Sequence, residues 1–356
     1  MWEFLRKVGV CAPTIERLEP GSIIGIDIMM LMYAEYANAQ HELAGAETRE
    51  LRDAIRAKMH DVDCEIMDVD GMPAAEIYGG DPDAPWIILR RNLANRIGVR
   101  LYDIVTSGVV PVLVWDPSIL GGKRSVGKVI RTNEKMVLRN VDRAYIYFTL
   151  RGLGFPSVIG WTEGEKVLCA GAQGGIIDMV VSGDTDCLVL GAPWVAKYIL
   201  KSGNDLIVRG VTGRHMLDEV FGNETTNRML DAGIYLGCDF CRRLPKHGPA
   251  TLAKIVNSGH PVGYAGYVLG SDNDEYRSEV TRTIEFFIIT EEDRNMAVEL
   301  ITFALTNAWQ YDAKMSDGIC PRIRWTGECP VEIVRGIRFG GQVSVQNEPS
   351  MVEDYD

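Results

Sequence analysis

The sequence predicts an α/β domain built on a doubly wound, mostly parallel sheet flanked by helices. Three observations carry that expectation. Three short runs at 22–27, 109–116 and 179–184 are rich in Val and Ile with no polar alternation, as strands buried on both faces are. Each run ends in an aspartate: Asp27, Asp116 and Asp184. Helical patterns at 86–106, 123–153 and 163–172 follow in alternation with them. That order favours parallel strands joined by helical crossovers. In such sheets ligands bind beyond the carboxyl ends of the strands, so the three aspartates should meet along one edge.

The remaining elements are read in chain order. Residues 41–85 form a mostly polar excursion with clusters such as Gly79-Gly80-Asp81-Pro82-Asp83. Residues 228–256 read as two helices joined by a tight turn at Pro245-Lys246-His247-Gly248-Pro249. Beyond 265 the pattern weakens to a helix at 291–308, a strand at 331–338 and an acidic tail after Gly341. The expected division is therefore a domain over 1–265 and a C-terminal extension over 266–356.

Composition narrows the function classes. The chain has 356 residues, 46% apolar and 24% charged, and its net charge is 37 − 49 = −12. At roughly 150 residues per domain this is one large domain or two ordinary ones. The balance excludes a collagenous or wholly disordered chain. It also argues against a basic protein that coats nucleic acid, although a local basic patch is compatible with it. No apolar run approaches the ~20 residues of a spanning helix, and no secretory leader is expected. The eight cysteines are scattered, Cys238 and Cys241 being the one close pair, so reduced thiols inside the cell are expected rather than a zinc site.

Seven acids stand out: Asp27, Asp116, Glu163, Glu165, Asp184, Asp186 and Asp239. Each has a plainer reading. Asp27 and Asp116 suit turns or caps, Glu163 and Glu165 suit a helix start, and Asp184 and Asp186 suit an N-capped turn. Together the plain readings lose ground. Carboxylates crowded at one sheet edge repel one another, and such a cluster persists when divalent cations neutralise it. Oxygen-only ligands point to Mg²⁺, with Mn²⁺ able to substitute. Two such ions about 4 Å apart clamp the attacking and leaving oxygens of a phosphodiester during in-line displacement. No Ser/His/Asp triad competes, and Gly121-Gly122-Lys123 lacks phosphate-loop spacing. After Asp116, Arg124, Lys128, Arg131 and Lys135 are spaced i, i+4, i+7, i+11, which puts four positive charges on one helix face. Alone, such a face is ordinarily just solvated.

In order along the chain these motifs resemble the flap endonuclease (XPG-type) superfamily of structure-specific 5′ nucleases, whose fold is PIN-like. The resemblance runs over roughly 20–260. Gly25-Ile26-Asp27, with Tyr33 six residues after the aspartate, resembles the first motif. Pro111-Val112-Leu113-Val114-Trp115-Asp116 resembles the second strand. Leu153-Gly154-Phe155-Pro156 with Glu163-Gly164-Glu165 resembles the internal motif, and Asp184-Thr185-Asp186 the paired aspartates. Leu236-Gly237-Cys238-Asp239, followed by Gly248-Pro249, resembles the last aspartate and the helix–two-turn–helix of 228–256.

The resemblance implies roles. Asp116, Glu163 and Glu165 would hold one Mg²⁺ with Asp27 assisting, and Asp184, Asp186 and Asp239 the second. Tyr33 would stack on a base near the scissile phosphate. Lys123 and Arg131, in a helical gateway over 118–150, would steer that phosphate, with Arg124, Lys128 and Lys135 also facing nucleic acid. Arg242, Arg243, Lys246 and Gly248 would meet the uncleaved duplex. In the family that turn also binds K⁺; here Lys246 stands where a glycine usually does, which speaks against the ion. Other departures concern substrate geometry. Trp2-Glu3-Phe4 replaces the usual start, the interval from Asp116 to Glu163 leaves room for one gateway helix rather than a closed arch, and the excursion 41–85 lies where the family builds its duplex-splitting wedge. The tail lacks a sliding-clamp motif.

The expected function is Mg²⁺-dependent, two-metal hydrolysis of branched or flapped DNA in replication, repair or recombination, as a structure-specific 5′ flap endonuclease or 5′–3′ exonuclease, by a monomer with no membrane partner. The expected location is the nucleus or another site of DNA replication, or the host nucleus or cytoplasm for a viral protein. Two alternatives stay open: an RNA-cleaving nuclease of virus type with the same chemistry, and a non-catalytic scaffold for branched DNA.

Overall fold

A computed structural model describes residues 1–10, 16–45, 85–117, 140–202, 205–243, 248–258 and 274–307. Most of the excursion expected at 41–85, the basic stripe with Lys123, Arg124, Lys128, Arg131 and Lys135, the turn residue Lys246, the strand expected at 331–338 and the acidic tail lie outside these residues; 41–45 instead complete the helix Ile28–Gly45, and Pro85 begins the helix Pro85–Thr106.

The described strands form one seven-stranded sheet. They are β1 (Glu16–Arg17), β2 (Ile23–Asp27), β3 (Val110–Trp115), β4 (Ser157–Ile159), β5 (Met179–Val181), β6 (Trp194–Ser202) and β7 (Asp205–Gly213). Their order is β1-β7-β6-β5-β2-β3-β4. The block β6-β5-β2-β3-β4 is parallel throughout. β7 and β1 extend one edge with antiparallel pairing. The three strands read from the sequence are the adjacent central strands β5, β2 and β3, and every residue in them is buried.

Side-chain alternation divides the core between the two faces of the sheet. Val110, Val112 and Val114 of β3 enter one apolar cluster, whereas Leu113 and Trp115 enter the other. The second cluster is covered by α2 (Ile28–Gly45), α3 (Pro85–Thr106) and α4 (Asn140–Gly152). The first packs under α1 (Trp2–Lys7), α5 (Gly164–Gln173), α6 (Asp186–Val189), α7 (Arg214–Phe221), α8 (Thr225–Leu236), α9 (Pro249–Asn257), α10 (Asp274–Phe287) and α11 (Glu291–Asn307). The result is a three-layer α/β/α domain.

Two local features set the position of the site. Gly25 in β2 lets α5 lie against the sheet, because a Cβ there would stand 2.5 Å from Leu168 Cδ2 and 2.7 Å from Ile177 Cδ1. On the other face, buried Glu35 of α2 pairs with Arg100 at 2.8 Å and Arg96 at 3.4 Å, both on α3. This pins the helix that follows Asp27. The chain runs from β2 outward through β3 and β4, then returns to β5 on the opposite side of β2. The carboxyl ends of β5, β2 and β3 thus meet at a topological switch point, where a crevice opens.

The expected helices at 86–106, 163–172 and 291–308 correspond to α3, α5 and α11. Elements that go beyond the sequence reading are the strands β1 and β4, the β6–β7 hairpin and the helices α1, α2, α6, α7 and α10. Among the described residues no helix is long and apolar enough to cross a membrane. Cys169, Cys187, Cys238 and Cys241 are buried free thiols.

Candidate active site

Asp27 is the last residue of β2 and stands directly before α2. Its Oδ1 accepts the backbone N–H groups of Met29 at 3.0 Å and Met30 at 3.3 Å, so it caps that helix. Its Oδ2 accepts the Ser182 hydroxyl at 3.3 Å from the end of β5. The capping role and the site role coincide in one buried side chain. Asp116 follows β3 immediately, and its Oδ1 accepts the Gly164 backbone N–H at 2.7 Å. Glu163 is the residue before α5 and Glu165 lies in that helix's first turn, so the helix start delivers both glutamates beside Asp116.

Asp184 lies three residues beyond β5 rather than at its end. Its backbone N–H donates to Ser182 Oγ at 3.0 Å and its Oδ1 accepts the Asp186 N–H at 3.0 Å, forming the capped turn that starts α6. Asp239 sits in the loop after α8, which turns at Gly237 with φ 77°. A Cβ on Gly237 would stand 2.7 Å from the Arg243 backbone nitrogen, so the loop can fold back this tightly only around glycine.

These pieces enclose a cavity of about 570 Å³ lined by Asp27, Asp116, Glu163, Glu165, Asp184 and Asp239, together with Tyr33. Six of the seven sequence-flagged acids therefore face one space. Asp186 is not among the lining residues; its charge bears on Cys238, whose thiol burial pushes up to about 12 with a smaller contribution from Asp186. One carboxylate oxygen from each of Asp116, Glu163 and Glu165 lies within 4.8 Å of the others. That spacing and the all-oxygen donor set fit a hard divalent cation.

The electrostatics are those of a site built for cations. Burial pushes Asp27 up to about 7, with the Asp116 and then the Asp184 charge adding to it and the Met30 and Ser182 hydrogen bonds opposing. Glu165 is held well above the usual carboxylate range by burial and then by Asp27, Asp116 and Asp184. The acids thus hold protons that a divalent ion can displace.

The other expected contacts divide. Tyr33 lines the cavity beside Met29 and Met30. Gly248 caps the start of α9, where Pro249 occupies the first turn. Arg243 is exposed. Arg242 is exposed too, but its guanidinium pairs with Glu275 at 2.8 Å and Glu279 at 3.2 Å on α10, so its charge is already engaged. One lining residue escaped the sequence reading: Arg143 in α4. Its signal was a cation in register with the apolar positions Tyr147 and Leu150, four and seven residues on.

No family model matches the chain. It is 29% identical over 200 residues to flap endonuclease 1 of Methanosphaerula palustris, a match covering 52% of this chain and 54% of that protein. It is 28% identical over 157 residues to flap endonuclease 1 of Theileria annulata, covering 44% and 30%. The chain thus matches about half the length, or less, of these curated relatives. Among solved structures, the catalytic core of Rad2 in complex with DNA substrate superposes over 95% of each chain, with a TM-score of 0.48 and 14% identity.

Proposed function

We propose that this chain, which belongs to the flap endonuclease superfamily, is a divalent-metal-dependent nuclease that hydrolyses phosphodiester bonds in branched or flapped DNA. The observation that carries the reading is the meeting of Asp27, Asp116, Glu163, Glu165, Asp184 and Asp239 in one cavity at the strand ends. Asp116, Glu163 and Glu165, with Asp27 alongside, would hold one ion. Asp184 and Asp239 would hold the other, with Asp186 bracing the turn that presents Asp184. Bound there, Mg²⁺ supplies Lewis-acid stabilisation of the charge that develops on the phosphate oxygens.

The protein's own groups do the rest. Asp27 releases its proton as the site loads and keeps its capping bonds to α2, so the ligand geometry is set before loading. Tyr33, one turn and a half into α2, lines the cavity and would offer its ring to a base next to the reacting phosphate, a contact worth ~1–3 kcal/mol in stacking platforms. The helix–loop–helix pair α8–α9 offers backbone N–H groups at the Gly248 end to duplex phosphates, which favours duplex DNA over unstructured RNA.

The test is a Mg²⁺ cleavage panel of 5′-flap, nicked, bubble, four-way-junction and single-stranded DNA plus RNA. The expected result is cleavage near a duplex branch that Asp184→Asn abolishes while DNA binding survives. Wild-type rates in D184N contradict the assignment. Digestion of unstructured RNA in preference to branched DNA selects the RNA-cleaving alternative. Metal-dependent cleavage of nothing in the panel selects the scaffold.

A further inference from the structure

We propose that Arg143 clamps the substrate phosphate at the carboxylate site, a role that rests on the nucleolytic reading above. Arg143 lies in the first turn of α4, only 9% exposed, and it lines the same cavity as the six acids. Among the described residues it is the one basic side chain in that lining. Burying a guanidinium is costly unless an anion meets it.

Six carboxylates line the cavity that Arg143 also lines. Divalent ions would neutralise those carboxylates, and the guanidinium would then face a site whose negative charge is spent. A phosphate arriving there restores the balance. Its geometry suits arginine, whose planar fork makes two parallel hydrogen bonds to non-bridging oxygens.

The clamp is also rigid. One turn on from Arg143, Tyr147 packs edge-on against Trp115, with ring centroids 5.3 Å apart and planes at 90°. Trp115 is fully buried and immediately precedes Asp116. This contact packs the helix that carries Arg143 against the strand that ends at Asp116, which favours a defined placement of the two, as positioning a reacting phosphate requires.

The experiment compares wild type, Arg143→Ala and Arg143→Lys in two assays. The first is binding of thymidine 5′-monophosphate in Ca²⁺ by calorimetry. The second is single-turnover cleavage of a 5′-flap DNA in Mg²⁺. Ca²⁺ affinity is measured in parallel, and R143K keeps the stem and charge should R143A fold poorly. The expected result is a loss of at least about tenfold in nucleotide affinity and about 100-fold in cleavage rate for R143A. R143K should fall between, because it lacks the fork, and Ca²⁺ affinity should not fall in R143A, since removing a positive charge beside the acids can only favour a cation.

Nucleotide binding that depends on Arg143 in a wild type that cleaves nothing keeps the phosphate contact and removes the hydrolytic reading. Cleavage by wild type and equal rates in R143K and R143A overturn the clamp and leave that reading intact. Loss of Ca²⁺ affinity in step with nucleotide affinity also overturns it, since Arg143 would then merely support the metal ligands.

Discussion

The backbone N–H of Gly164 donates to Oδ1 of Asp116 at 2.7 Å, joining two motifs 48 residues apart in the chain. The bond fixes Asp116 by the first amide of α5, whose flanking residues are Glu163 and Glu165. A helix N-terminus thereby orients one carboxylate and delivers two more beside it.

Removing that donor without unfolding the helix isolates its contribution. Glu163 has φ −50° and ψ 139°, a conformation compatible with a following proline, and proline is tolerated at the first helical position. Gly164→Pro should keep the secondary structure, yet it deletes the N–H and places ring atoms against Asp116. Metal affinity should fall about 10–100-fold, as for other groups that orient ligands. Calorimetric titration of Mn²⁺ with circular dichroism as the folding control checks it. Unchanged affinity in a folded G164P would show that Asp116 is held by other means.

The raised Asp27 pKa makes the stability of the metal-free protein depend on pH. An unfolded aspartate ionises near 4, whereas Asp27 in the folded protein ionises at about 7. Below about pH 4 both states keep the proton. Between the two values only the unfolded state ionises, so folding stability falls as pH rises, and the loss is complete above about 7. Glu165 shifts in the same direction and adds to it. In EDTA the melting temperature should therefore drop from pH 5 to pH 8, and Asp27→Asn should flatten part of that slope. Mg²⁺ should stabilise more at pH 8 than at pH 5, because it binds the ionised form. An EDTA profile that D27N leaves unaltered would count against the buried-carboxylate account.

Gly237 tests the loop that carries Asp239. With φ at 77° and a Cβ position 2.7 Å from the Arg243 nitrogen, alanine must either strain the backbone or push the loop open. Gly237→Ala should cost about 1–3 kcal/mol of stability and lower cleavage by displacing Asp239. Urea denaturation and flap cleavage read the two effects. A variant of wild-type stability would mean that the turn relaxes freely.

Much of this architecture was visible before the structure because buried parallel strands announce themselves as unbroken runs of Val and Ile. β2, β3 and β5 emerged in this way, and their trailing acids located the site. The β6–β7 hairpin did not. It forms the antiparallel side of the sheet, and residues such as Lys197 and exposed Tyr198 interrupt its apolar character. Helix α10 was hidden for a different reason: its buried face includes Glu279 and Thr283, and Glu279 is buried because it pairs with Arg242. Tertiary partners convert those polar residues into interior ones, and no local pattern reports a partner. The same holds for Arg143, a cation on an apolar stripe that shares its cavity with carboxylates from five other segments.

The central claim is that carboxylates from β2, β3, α5 and the segments after β5 and α8 form one site for two divalent ions. Counting bound Mn²⁺ by electron paramagnetic resonance tests this most directly, using wild type, Glu165→Gln and Asp184→Asn. The account predicts two ions per chain in the wild type, with each substitution weakening or removing one of them. A wild type that takes up no Mn²⁺, or two substitutions that leave its uptake unaltered, would contradict it.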